Sequence, residues 1–154
     1  ATDLNGETIW DKNLNTSLRS GANLTDGKLY IISLSNDLYV LESKTGKEIW
    51  KYPGEATITN LSGIGTPAIS NDKVIMPTTT GKVNVLDAQT GILLWDEVLW
   101  QKRTYNPILD MPHITASPVI EKDIVYLAGN AGKSGAYNLK SGSPLYTLNF
   151  ISCQ

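Results

Sequence analysis

Residues 82–95, Lys-Val-Asn-Val-Leu-Asp-Ala-Gln-Thr-Gly-Ile-Leu-Leu-Trp, constrain the fold more than any other stretch of the chain. In an extended backbone Val83 and Val85 point to one face, with Asn84 and Leu86 on the other. The segment 87–91, Asp-Ala-Gln-Thr-Gly, is turn chemistry: an Asp side chain bonds nearby backbone, and Gly91 supplies the positive φ that closes a hairpin. Residues 92–95 then return as a second strand that ends in a large aromatic.

The same phrase recurs. Gly6 is followed four residues later by Trp10, Gly46 by Trp50, Gly91 by Trp95 and Gly142 by Tyr146. Upstream, Gly21, Pro67 and Pro118 each precede an Asp by five residues (Asp26, Asp72, Asp123), and stand 25, 24 and 24 residues before the turn glycine. Successive turn glycines are 40, 45 and 51 residues apart. Periods in this range, in a chain of short strands, are those of four-stranded β-propeller blades. The expected fold is therefore all-β: an arc of four-stranded antiparallel blades, with the drift in period absorbed by connectors.

Composition narrows the function classes. A chain of 154 residues with 41% hydrophobic content can bury a sizeable core, and a net charge of −2 argues against a nucleic-acid surface. The single cysteine, Cys153, permits no internal disulfide. No apolar run approaches the roughly 20 residues of a membrane span, and no signal peptide opens the chain.

Read in order, residues 1–154 form one partial propeller domain. Residues 1–12 close a truncated blade, with a shortened turn at Leu4-Asn5-Gly6 read as a two-residue Asn-Gly hairpin. Complete blades follow at 17–52, 64–98 and 115–150. Residues 20–24 are expected as an innermost strand, where the small Gly21 and Ala22 suit a crowded channel. Opening inside a repeat is the pattern of a piece of a longer protein. Both end faces of such an arc would be bare, so the isolated piece is expected either to self-associate or to be only marginally folded, with residues 1–10 its least ordered segment.

The segment 85–95, Val-Leu-Asp-Ala-Gln-Thr-Gly-Ile-Leu-Leu-Trp, resembles the repeat of the pyrroloquinoline-quinone-type propellers, whose blades close on Ala-x-Asp-x-x-x-Gly-x-x-x-Trp. Within that superfamily the chain is similar to the BamB-like lipoproteins of the outer-membrane β-barrel assembly machinery. Residues 17–20 (Ser-Leu-Arg-Ser), Leu61-Ser62 ahead of Thr66-Pro67, and residues 114–120 (Ile-Thr-Ala-Ser-Pro-Val-Ile) carry the likeness. The resemblance implies an eight-bladed parent ring on the periplasmic face of the outer membrane, with its signal and lipidated cysteine outside this piece. It also implies a non-enzymatic scaffold and no cofactor. Its partner would be the periplasmic domains of the barrel-forming subunit, bound through a surface that includes Leu18 and Arg19. Binding would use loops on one face, or exposed strand edges that meet nascent barrel strands. Where the family carries acidic residues in the loop matching 61–67, this chain has Gly63 and Gly65. In the bland reading, Leu18 fills a blade edge and Arg19 is solvated.

Other candidates are weaker. Trp10, Trp50 and Trp95 could stack a planar cofactor, but one aromatic per blade at one position is what blade docking requires, with Tyr146 and the turn glycines Gly46, Gly91 and Gly142 in the same role. Quinone dehydrogenases need Ca²⁺ ligands, a catalytic Asp and commonly a vicinal Cys pair. Here Asp26, Asp72, Asp87 and Asp123 all fall in turns, so no metal site and no catalytic residue is expected. His113, the only histidine, has no nucleophile setting around it. Residues 129–134 (Gly-Asn-Ala-Gly-Lys-Ser) resemble a phosphate loop, but Leu127 stands where its first glycine belongs. The alternatives are a fragment of a quinone- and Ca²⁺-dependent dehydrogenase, or a periplasmic peptide- or sugar-binding propeller.

Overall fold

The computed structural model describes residues 1–55, 64–70, 72–100, 114, 116–129 and 133–149. Twelve strands and no helix are found among them: β1 Asn23–Thr25, β2 Lys28–Ile32, β3 Leu38–Glu42, β4 Glu48–Tyr52, β5 Ala68–Ser70, β6 Lys73–Pro77, β7 Lys82–Asp87, β8 Leu93–Val98, β9 Val119–Glu121, β10 Ile124–Ala128, β11 Lys133–Asn138 and β12 Pro144–Asn149. They form three antiparallel meanders in sequence order, β1–β4, β5–β8 and β9–β12. The first strands of successive sheets lie against one another, β1 with β5 and β5 with β9, while the fourth strands have no such neighbour. Sheets that converge on their first strands and splay at their fourth make the arc of a β-propeller.

Alternation along the middle strands explains why both faces of a blade are apolar. Val74 and Met76 of β6 pack with Tyr30, Ile32, Leu38 and Val40 of the first sheet. Ile75 between them points the other way and, with Val83 and Val85, meets Val125, Leu127 and Tyr137 of the third. Each such buried side chain is worth roughly 1.5–3 kcal/mol.

The ring at the end of each blade repeats one contact. The Nε1–H of Trp10 donates to the Ser43 carbonyl at 2.8 Å, that of Trp50 to Ala88 at 3.3 Å and that of Trp95 to Leu139 at 3.0 Å. Each acceptor lies three residues before the next turn glycine. Gly46, Gly91 and Gly142 have φ of 69°, 72° and 73°, and a Cβ on each would come within 2.5, 2.7 and 2.8 Å of the preceding tryptophan. The glycine thus serves twice, taking a left-handed φ and leaving room for the indole. The three rings are half-buried rather than fully buried.

Several expectations shift. The innermost strand is 23–25 rather than 20–24, and its turn is Asp26-Gly27, with φ of 50° and 72° as a type I′ hairpin requires. Register puts Thr25, Ser70 and Glu121 in equivalent places, each 21 residues before its turn glycine. Asp26 therefore stands one residue ahead of Asp72 and Asp123, which accounts for the spacing of 25 against 24. Gly21 keeps its crowded setting, since a Cβ there would meet Thr66 Oγ1 at 2.8 Å. At the N-terminus the turn is a three-residue loop rather than a two-residue Asn-Gly hairpin. Asp3 and Glu7 flank it, Gly6 N donates to Asp3 O at 3.1 Å, and Gly6 has a φ of 86°.

The two end faces also differ. The first is covered by the chain itself: Trp10 and Leu14 pack on Ile31, Tyr39 and Leu41, which are buried. On the far face of the third sheet, by contrast, Val119, Tyr146 and Leu148 are at least half exposed.

Each turn is braced by one acidic or amide side chain. Asp87 Oδ1 accepts from Gln89 N, Thr90 N and Thr90 Oγ1, and Asn138 Oδ1 accepts the same three bonds from Lys140 N, Ser141 N and Ser141 Oγ. The Thr90 hydroxyl, ahead of its backbone amide, holds the Asp87 pKa below the ordinary carboxylate value. A depressed folded pKa adds stability above the unfolded value and loses it as pH falls through the folded one. Asn138 does the same work without titrating. Asp87→Asn should therefore keep the turn at neutral pH and gain on the parent below about pH 4. Urea unfolding at several pH values checks this, and parallel pH profiles for the two proteins would contradict it.

Candidate interaction surface

Residues 17–20 run beside the end of β2. Leu34 N donates to Ser17 O at 2.7 Å, Arg19 N to Ile32 O at 3.1 Å, and Ile32 N to Ser20 Oγ at 3.1 Å. Leu18 pairs with Ser33 through an isolated bridge. This pairing fixes which way each side chain goes. Leu18 is 51% exposed, whereas Arg19 is only 9% exposed. Neither half of the bland reading fits this, since Leu18 stands out from the blade and Arg19 is not solvated.

Arg19 is the unusual group. Among the described residues its Nε, Nη1 and Nη2 atoms have no hydrogen-bond partner. Burial pulls its pKa below the usual guanidinium value. Ala22 and Pro67 are equivalent by register, and three residues before Pro67 the second blade places Ile64, a buried member of its core. A guanidinium thus occupies a place where the neighbouring blade has a hydrocarbon. Holding a cation out of water without a partner is unfavourable, which makes Arg19 a group to explain.

The loop that follows β2 carries a residue that the sequence alone does not single out. Asn36 is fully buried, with its Nδ2 donating to Glu55 O at 2.7 Å and Thr79 Oγ1 at 2.8 Å, and its Oδ1 accepting from Thr79 N at 3.1 Å. It sits at φ 63°, where Asn is among the few tolerated side chains. Gly54 N donates to Asp37 Oδ1 at 3.0 Å, and Asp37 also pairs with Lys51 at 2.9 Å. The Asn36–Thr79 bonds tie the first blade to the second, and the bonds to Lys51, Gly54 and Glu55 hold the loop next to Leu18 in place.

Leu61, Ser62, Gly63, Arg103, Tyr105, His113 and Cys153 lie outside the described residues, as does the centre of the 129–134 loop. Gly65 packs against the Ala116 backbone, where a Cβ would meet the carbonyl oxygen at 2.3 Å. Trp10, Trp50 and Trp95 are each spread one per blade on a glycine, so they do not gather into a stacking site. Tyr146 is 52% exposed on the open face, away from Leu18 and Arg19. Among the described residues no three His, Cys, Asp or Glu side chains converge as a metal site would require.

Sheet order, blade packing and the repeated ring-on-glycine contact define a partial β-propeller of quinone-protein-type repeats. The chain belongs to the family of outer membrane protein assembly factor BamB, whose model matches residues 5–153. Outer membrane protein assembly factor BamB of Alteromonas naphthalenivorans is 25% identical over 147 residues, covering 96% of this chain and 35% of that protein. The crystal structure of BamB from Moraxella catarrhalis superposes with a TM-score of 0.78 at 20% identity, over 92% of this chain and 43% of that one. A europium-containing methanol dehydrogenase superposes with a TM-score of 0.67 at 23% identity, over 85% of this chain and 25% of that one. The chain spans about a third of the length of the curated relatives it matches.

Arg19→Met keeps the volume and removes the unpaired charge. It should raise the unfolding free energy by about 1 kcal/mol or more. Urea denaturation reads this directly, and a loss of stability would show that Arg19 has a partner after all.

Proposed function

We propose that this chain is a non-enzymatic interaction module of outer-membrane protein assembly, acting from the periplasmic side. Its partner in this reading is the periplasmic part of the barrel-forming subunit. The observation that carries the reading is Leu18 exposed directly beside a buried, unpartnered Arg19, on a chain of the BamB family. An exposed aliphatic side chain beside a guanidinium held out of water suits a protein anchor. The apolar contact excludes solvent, and a carboxylate or carbonyl from the partner meets the cation at full strength.

Such a site works by binding alone. The hydrogen bonds of Asn36 and Asp37 hold the loop next to it, so little order is lost when a partner docks. The lipid anchor and the remaining blades of the parent ring belong to this reading as well. Likeness to methanol dehydrogenase is a likeness of fold and supports no chemistry here.

Titration of the chain with the purified periplasmic domains of a barrel-forming subunit tests the proposal. Leu18→Ala and Arg19→Met should each weaken binding at least about tenfold, with Arg19→Met doing so while the protein becomes more stable. Undiminished binding by both variants would overturn the assignment. Saturable micromolar binding of pyrroloquinoline quinone with Ca²⁺ would favour the dehydrogenase reading instead.

A further inference from the structure

The turn between β2 and β3 and its counterpart between β6 and β7 are built alike except at one residue. Ser33 N donates to Asp37 O at 2.9 Å, and Thr78 N to Lys82 O at 3.0 Å. Within each turn two hydroxyls meet, Ser33 with Ser35 at 3.3 Å and Thr78 with Thr80 at 2.8 Å. Register makes Asn36 the counterpart of Gly81, and both take a left-handed φ, 63° and 77°. Glycine is the residue that this conformation favours, and the third blade also has one at that place in its sequence, Gly132. An asparagine in the first blade goes against the backbone preference, so its side chain is what the position selects.

That side chain reaches out of its own blade. Asn36 Nδ2 donates to Thr79 Oγ1 at 2.8 Å, and its Oδ1 accepts from Thr79 N at 3.1 Å and Thr79 Oγ1 at 3.2 Å. Gly81 has no side chain with which to make such a tie to the third blade. The connector closes over Asn36 as well: a Cβ on Gly54 would lie 1.9 Å from the Asn36 carbonyl oxygen. The turn is therefore held from two sides. Leu18 hangs on it, since Leu18 bridges to Ser33, whose carbonyl accepts from Asn36 N at 3.1 Å. In the second blade, where Gly81 replaces the asparagine, the residue matching Leu18 is Gly63.

We propose that Asn36 is a positioning residue for the docking surface: it locks the 33–37 turn to the second blade and thereby sets where Leu18 stands. This rests on the docking role assigned to Leu18 and Arg19. Asn36 itself is buried and touches no partner. It acts by holding Leu18 in the bound arrangement before a partner arrives, so that less freedom is lost on binding.

Asn36→Gly installs the residue that the second blade uses, keeps the φ and removes the tie. Thr79→Ala weakens the same tie from the other blade without touching the turn. Amide hydrogen exchange reads the positioning without any partner. In both variants the Arg19 and Leu34 amides, which join the Leu18 segment to β2 and its turn, should exchange at least about tenfold faster, while the amides of β10 and β11 keep their parental rates. Unchanged rates at Arg19 and Leu34, or an equal rise everywhere, would overturn the proposal. Titration with the periplasmic domains of a barrel-forming subunit then reads the docking. Asn36→Gly should weaken binding at least about fivefold in the parent and add nothing in a Leu18→Ala background. An equal loss in both backgrounds would mean that Asn36 does not act through Leu18. If Leu18→Ala itself leaves binding intact, the docking role of Leu18 fails, and with it the claim that Asn36 positions a docking surface.

Discussion

The seating of a tryptophan ring on the left-handed glycine of the next blade is the contact on which the arc depends. Within a sheet, strands hold themselves through their ladders. Between sheets the hydrophobic clusters attract without direction, so they favour closeness but not a particular angle. The indole adds the direction. Its face needs a surface without a Cβ, and its N–H needs the carbonyl three residues upstream, so the rotation from one blade to the next is fixed at its outer end. A β-bulge next to each ring helps to aim it. The register slips between Val40 and Leu41, Val85 and Leu86, and Ala136 and Tyr137, leaving Ile49, Leu94 and Leu145 unpaired on the outermost strands. Such bulges also blunt edges that would otherwise pair with other chains.

Much of this was legible in the sequence because the contact is written in residue types that nothing else demands. A glycine with an aromatic four residues on, repeated four times, specifies both partners of the joint and its period. Strand identity followed from alternation, as in Val74, Ile75 and Met76, whose side chains go to opposite neighbours. The bulges were not legible, because an extra residue such as Leu94 is apolar like those around it. Nor was the one-residue offset of Asp26, because Asp and Gly exchange freely in two-residue turns and only register tells them apart. The covering of the first sheet by Trp10 and Leu14 was missed for a related reason. A polar-looking connector at 11–16 gives no period to read, and Leu14 alone does the packing.

The interaction surface was legible only in part. Sequence resemblance singled out Leu18 and Arg19, but nothing in composition or spacing reveals that the first is exposed and the second buried. That division comes from the pairing of residues 17–20 with 32–34, which turns alternate side chains in opposite directions. It also shows a local conflict of the kind that marks functional positions, a charge where the next blade has Ile64. The buried Asn36, by contrast, has a full set of partners in Glu55 and Thr79.

The account makes the ring and the glycine one unit, and a double-mutant cycle on unfolding free energy between Trp50→Ala and Gly91→Ala measures that directly. The added Cβ of Gly91→Ala clashes with the indole, so its cost should fall once the ring is gone, leaving only the backbone strain of a positive φ. The expected coupling is about 1 kcal/mol or more. Costs that add to within roughly 0.3 kcal/mol would mean that ring and glycine act separately, and that something other than their contact sets the angle between blades.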